Sequence, residues 1–242
     1  MNTHEKFVDL LRNETPSSHL INQVFARLTS TQELWTTCGS ENEATFLKNM
    51  FVPCLDATFG ALKHTSSRWT SALEETRDPA ARLLFPDYSV VIQIGTQTCS
   101  IVHLECKTAS NKGLSQIWDD LTELGQELKH SLDTMVKLQP AGPVCALGIL
   151  VKGFHIQFYV MNIKSEGVYI LRKYAECLIF NKADNLFPLG RLLEILETTK
   201  DLASTTVKNL RQVKVSPCAT PLVPLRWLRP SFGKPRKVEL ID

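Results

Sequence analysis

The sequence predicts an α/β (α+β) fold in which a central mixed β-sheet is flanked by helices. Three observations carry that expectation. Two strand-like runs, Tyr88–Ile94 and Ser100–Lys107, are separated by the short polar link Gly95-Thr96-Gln97-Thr98, and the second alternates with period two. Apolar residues recur at helical steps over 113–138 and again over 189–212. The order is helices, hairpin, long helix, strands, helix, which suits a sheet with helices on its faces.

Residues 4–35 carry Phe7, Leu10, Leu11, Leu20, Ile21, Val24, Phe25 and Leu28 at helical spacing. Thr15-Pro16-Ser17-Ser18 divides them into two short helices, with Ser17 or Ser18 as the N-cap. This predicts an N-terminal helical extension over 1–40. A longer helix is predicted over 41–63 through Phe46, Met50, Leu55, Phe59 and Leu62, with a kink or break at Pro53. It opens on Ser40-Glu41-Asn42-Glu43, which fits a capping box. Residues 64–82 are polar without a clear period and read as a loop or a short exposed helix.

In the second strand of the hairpin, period two puts Glu105 and Lys107 on one face together with His103. Ser110 or Asn111 then caps a long helix whose buried stripe is Leu114, Ile117, Leu121, Leu124, Leu128, Leu132 and Met135. Pro140, Gly142 and Pro143 end it. Three β-rich segments follow at Val144–Val151, His155–Ile163 and Val168–Phe180, with Gly153 turning the first into the second. The last helix uses Leu192, Leu193, Leu196, Leu202 and Val207. Five prolines between 216 and 235 predict an extended segment, lying over the body or hanging free. The division read from this is an extension over 1–40, a main domain over 41–213 and a basic, proline-rich tail over 214–242.

The chain of 242 residues is 43% hydrophobic, enough for a sizeable core. No apolar run approaches the ~20 residues that span a bilayer, and the polar start Met1-Asn2-Thr3-His4-Glu5-Lys6 lacks the apolar stretch of a signal peptide. Seven scattered cysteines without a C-x-x-C pair suggest neither a zinc site nor a redox motif, and read as small buried hydrophobes. An intracellular address, nuclear or cytoplasmic, and no membrane partner are therefore expected. Net charge is +2, but residues 201–242 hold eight Lys/Arg against three acids, a basic tail compatible with nucleic-acid contact or with simple solvation. No P-loop, G-x-G-x-x-G, H-E-x-x-H or G-x-S-x-G occurs, so nucleotide hydrolysis, dinucleotide redox chemistry, zincin proteolysis and lipase-type acyl transfer lose their usual support.

Two fragments carry chemistry. Pro86-Asp87 opens the first strand of the hairpin, and Glu105-Cys106-Lys107 closes the second, 18 residues from Asp87 to Glu105. An aspartate, a glutamate and a lysine on neighbouring strands suit a divalent cation and an activated water; a solvated strand face and a turn aspartate after proline are the plain alternative. On these motifs, and on the helix directly after them, the chain over about 41–163 resembles the PD-(D/E)xK nuclease superfamily. That resemblance implies a restriction-endonuclease-like core of a helix, a three-stranded meander, a helix and a further strand, and makes 41–213 a nuclease domain. It implies a metal-dependent nuclease hydrolysing phosphodiester bonds, most commonly in DNA, with Mg²⁺ or Mn²⁺ held by Asp87, Glu105 and the backbone carbonyl of Cys106. Lys107 would orient or help deprotonate the attacking water and offset developing charge. A homodimer is a common arrangement in the family.

Further residues are weighed beside these. Glu43, with Glu41 next to it, would be an acidic ligand from the first core helix, or simply the cap partner of Ser40. Gln116 matches the glutamine of a branch resembling the RecB nuclease domain, but Asp120 stands where that branch has tyrosine. His103 shares the Glu105 face and either supports the site or is an ordinary strand histidine. Asp119, Asp120, Glu123 and Glu127 read as the solvated outer face of the long helix, pointing away from substrate. Trp35, Trp69 and Trp118 read as packing residues; Trp227, flanked by Arg226 and Arg229, reads as a nucleic-acid contact or as the point where the tail docks. The stretch Leu121–Phe180, with its Gly153-Phe154-His155-Ile156-Gln157-Phe158-Tyr159-Val160-Met161 segment, also resembles uncharacterised proteins of lower fungi, which brings no activity. The alternative to an enzyme is a catalytically inactive nuclease-fold module that binds nucleic acid or a protein partner.

Overall fold

The computed structural model describes Val24 and residues 51–69, 86–107, 114–179, 187–212 and 222–229, with side chains from Asp120 in the second of these helices and from Pro188 in the third. The elements are α1 (Val52–Phe59), β1 (Thr65–Trp69), β2 (Tyr88–Ile94), β3 (Gln97–Lys107), α2 (Leu114–Lys137), β4 (Ala146–Lys152), β5 (His155–Ser165), β6 (Val168–Leu178) and α3 (Phe187–Arg211). A 3₁₀ turn covers Leu225–Trp227. The N-terminal extension, Glu41 and Glu43 lie outside the described residues, as do the side chains of Gln116, Trp118 and Asp119.

Six strands form one sheet in the order β1-β2-β3-β4-β5-β6. Every neighbouring pair is antiparallel except β3 and β4, which run parallel from Val102↔Leu147 to Lys107↔Lys152. A parallel pair needs a long crossover, and α2 supplies it while packing on β3, β4 and β5. The mixed sheet and the alternation of strands with helices agree with the predicted class.

β3 is buried without a break from Cys99 to Cys106, so both of its faces are covered. His103 meets α2 through Ser131. On the other face, Tyr174 of β6 meets Thr199 of α3, and Cys145 before β4 meets Thr206. α1 packs on α3. The sheet therefore lies between α2 on one side and α1 with α3 on the other. Gly148 of β4 lies directly beneath α2, and a Cβ there would come within 2.8 Å of Leu128 Cδ1 and 3.1 Å of Leu124 Cδ2. The missing side chain lets the helix come close to the sheet.

Of the predicted stripe of α2, Leu124, Leu128, Leu132 and Met135 are fully buried, and Leu121 is half-buried against the core. Gly95, Gly153 and Gly167 turn the β2–β3, β4–β5 and β5–β6 hairpins at φ of 59°, 55° and 69°, the left-handed region that glycine enters without steric cost. α1 is described from Val52 with Pro53 in its first turn; Phe51 before it also lies in the right-handed helical region, and the residues that would show the predicted break at Pro53 lie outside the described ones.

One element differs from expectation. Residues 65–69, predicted as loop or short exposed helix, form the edge strand β1. The strand is short and polar, so its side chains give no period; its ladder to β2, from Thr65↔Ile92 to Trp69↔Tyr88, defines it. Ser67 Oγ lies 2.9 Å from the Tyr88 hydroxyl, and the Trp69 ring packs on Tyr88 at 4.5 Å while staying 38% exposed. No helix among the described residues is long and apolar enough to cross a membrane.

Candidate active site

The site sits where β2 begins and β3 ends. Pro86 is buried and Asp87 forms the bend before Tyr88. The antiparallel register sets Tyr88 opposite Leu104, so Asp87 falls beside Glu105. The backbone N–H of Cys106 donates to Asp87 Oδ2 at 2.7 Å. This charge-assisted bond fixes the carboxylate and ties the two strand ends together. Asp87→Ala is expected to cost about 1–3 kcal/mol because the buried Cys106 N–H loses its acceptor, whereas Asp87→Asn keeps an acceptor and most of that stability; thermal melts of the two variants check this.

Glu105 is 3% exposed and Lys107 stands beside it, with Nζ 3.6 Å from Glu105 Oε2. The Gly153 N–H holds the Lys107 carbonyl at 2.8 Å, anchoring the end of β3 to the β4–β5 turn. Burial raises the Glu105 carboxyl above the usual carboxylate range, and the Asp87 charge raises it further, against the pull of Lys107. Two carboxylates held close with one ammonium make a site that favours added positive charge.

Asp87, Glu105 and Lys107 are thus brought together as the sequence predicts. The acids of α2 are not where it predicts, and the expectation of a solvated outer face is corrected. Glu127 is fully buried, Asp120 is 6% exposed, and Glu123 is half-buried. Glu127 projects at the sheet beside Glu105, and its carboxyl is held well above its ordinary value, first by burial and then by Glu105. Asp120 pairs with Lys152 at 3.3 Å, and Lys152 neighbours Lys107 across the parallel ladder. The face carrying Asp120 and Glu127 therefore points at the candidate site, not away from it. The available signal was spacing: Glu127 precedes Leu128 and follows Leu124 by three, inside the buried arc of the helix.

His103 takes the plain role. It is fully buried, with Nε2 2.8 Å from Ser131 Oγ. Burial, and then His130, push it down to about 3, so it stays neutral. Arg226, Trp227 and Arg229 lie where the tail docks. The Gly167 N–H donates to the Trp227 carbonyl at 2.9 Å, Arg229 Nη2 meets Glu166 Oε1 at 2.6 Å, and Lys129 donates to the Arg229 carbonyl. Lys129 in turn pairs with Asp133 at 2.7 Å and sits over the Tyr169 ring. The docking reading of Trp227 is the one this geometry favours. A cavity of about 590 Å³ opens elsewhere, between residues 61–64 and the C-terminal half of α3. It lies beside Thr65, which pairs with Ile92 at the end of β2 remote from Asp87, so it does not belong to the carboxylate cluster.

Whether these residues suit a divalent cation is decided by their donor chemistry. Both Glu127 oxygens are buried with no hydrogen-bond donor, and hard oxygen donors are what Mg²⁺ and Mn²⁺ take. Among the described residues, no three His, Cys, Asp or Glu side chains already converge on a metal-holding geometry. Mg²⁺ commonly uses only one or two carboxylates and keeps several waters, so the donor set fits such a cation without a preformed cage. Comparison with protein-family models, with curated proteins and with solved structures finds no match for this chain.

Proposed function

We propose that the chain is a metal-dependent nuclease that hydrolyses phosphodiester bonds, most readily in DNA, using Mg²⁺ or Mn²⁺. The observation that carries this reading is the meeting of Asp87, Glu105 and Lys107 at adjacent strand ends, with one carboxylate pinned by a backbone N–H and the other buried under a lysine. The element order adds support. A helix, three antiparallel strands, a long helix and a strand parallel to the third follow the core implied by the resemblance to the PD-(D/E)xK superfamily.

Asp87 and Glu105, with the Cys106 carbonyl, would hold the cation. When bound, it supplies charge at the scissile phosphate and lowers the pKa of a coordinated water. The remaining work falls to the protein. The Cys106 N–H keeps Asp87 in one orientation, so that carboxylate need not reorganise during the reaction. Lys107 holds its ammonium beside Glu105, where it can orient the attacking water and offset charge that develops on the phosphate oxygens. The partial exposure of Asp87 and Lys107, against the burial of Glu105, puts the first two at the side a polymer would approach. An intracellular, nuclear or cytoplasmic, address belongs to the same proposal.

A second reading is a binding module on this fold that no longer cuts. The absence, among the described residues, of three converging metal-ligating side chains favours it. Incubation of purified protein with supercoiled plasmid and with single-stranded DNA, in Mg²⁺, Mn²⁺ or EDTA, separates the two. Cleavage that needs metal, stops in EDTA and falls at least about 100-fold in Glu105→Gln is the expected result, because even outer-shell changes cost 10–100-fold at metal sites. No cleavage by folded protein would leave the binding module as the better account.

A further inference from the structure

We infer that Glu127 is a metal ligand of this site, supplied from α2, which pairs with Glu105 to hold the cation from the helix side of the sheet. The inference rests on the metal-dependent reading above and names a ligand outside the Asp87 and Glu105-Cys106-Lys107 motifs. Glu127 is fully buried. Neither of its oxygens has a hydrogen-bond donor. Its polar neighbour is the Glu105 carboxyl, near enough to hydrogen-bond with it while one of the two holds a proton, but when ionised both offer only acceptors. A buried carboxylate facing another carboxylate is among the costliest arrangements in a protein interior unless something positive or a proton stands between them. Glu105 has Lys107 at 3.6 Å. Glu127 has no comparable partner among the ion pairs of the described residues, whereas Asp120 on the same helix has Lys152.

The surroundings are built to keep Glu127 there. Leu124 and Leu128, its neighbours on the helix, pack over Gly148, whose missing side chain brings α2 down onto the sheet. The carboxyl therefore cannot swing to solvent without lifting the helix from its core contacts. A divalent cation between Glu105 and Glu127 satisfies both groups at once. Asp87, one oxygen of which is held by the Cys106 N–H, adds negative charge from the β2 side. Two carboxylates and water complete a shell of the kind Mg²⁺ and Mn²⁺ accept.

The test reads metal directly, apart from activity. Mn²⁺ binding to the full chain is measured by electron paramagnetic resonance, for wild type, Glu127→Gln and Glu123→Gln, with thermal melts in EDTA and in Mn²⁺. Glu127→Gln is isosteric and removes a buried charge, so it is expected to fold. At least a tenfold loss of Mn²⁺ affinity is expected in Glu127→Gln, together with loss of most of the Mn²⁺-induced rise in melting temperature. Glu123→Gln should retain both. Wild-type affinity in Glu127→Gln, or no Mn²⁺ binding by wild type, overturns the inference and leaves a shared proton as what joins the two carboxyls. Metal binding that depends on Glu127 without any cleavage of nucleic acid would sink the nuclease reading alone; cleavage and Mn²⁺ binding both indifferent to Glu127 would sink this inference alone.

Discussion

Lys107→Ala is expected to slow metal-dependent cleavage by about 10²–10⁴-fold, the range in which a positioned proton-transfer or charge-stabilising group contributes, while the protein stays folded. Two consequences of losing the ammonium add up. The group that orients water and offsets charge on the phosphate is gone. The Glu105 carboxyl, already raised by burial and by Asp87, also loses the positive neighbour on β3 that lowers it. It then holds its proton to higher pH and competes less well for a cation. The variant should therefore recover part of its metal affinity as pH rises, but not its cleavage rate. Lys107→Arg keeps the charge and should lose less than Lys107→Ala. A pH series of Mn²⁺ affinity beside single-turnover cleavage separates the two effects; equal recovery of both would mean that Lys107 acts only through Glu105.

Glu127→Gln is expected to stabilise the metal-free protein at alkaline pH by about 1–3 kcal/mol, since each tenfold difference in proton affinity between the folded and unfolded chain is worth ~1.4 kcal/mol. The sign follows from the direction in which the fold moves the carboxyl. Glu127 is raised in the folded protein above its ordinary value of 4.5, so its share of stability is complete below 4.5 and is lost as pH rises towards its folded value. Metal-free wild type should thus melt at progressively lower temperature from about pH 5 upwards, and Glu127→Gln should show a flatter profile. His103 acts in the opposite sense. It is lowered from 6.5 to about 3, so its contribution is complete above 6.5 and is lost as pH falls towards 3. Both profiles are read from thermal melts in EDTA between pH 4 and 9. A wild-type profile parallel to that of Glu127→Gln would show that Glu127 does not carry a raised pKa in the folded state.

How much was legible in the sequence follows from which signals are local. The β2–β3 hairpin and α2 announce themselves because Gly95 and the leucines at 124, 128 and 132 obey periods fixed by backbone geometry. The PD and E-x-K residues were legible as well, since each sits at a strand end and the hairpin register alone carries them to one place. β1 was not: Thr65-Ser66-Ser67-Arg68-Trp69 has no apolar alternation, and only a ladder to β2, formed with residues distant in the chain, makes it a strand. Glu127 was not, because a charged residue on an amphipathic helix defaults to solvent. Its spacing to Leu124 and Leu128 was the one local sign; the burial itself depends on the close approach of α2 over Gly148, a tertiary contact. Trp227 was legible as one of two options, and the choice between them needed Glu166 and Gly167, far away in the chain.

The most direct measurement is cleavage of a 5′-labelled DNA strand by excess purified protein in Mg²⁺, run beside EDTA and beside Lys107→Ala prepared in the same way. A product that appears only with metal and is lost in Lys107→Ala is the expected result. A cut that persists undiminished in Lys107→Ala, or no cut by folded wild-type protein with any divalent cation, would contradict a phosphodiester-cleaving site at Asp87, Glu105 and Lys107.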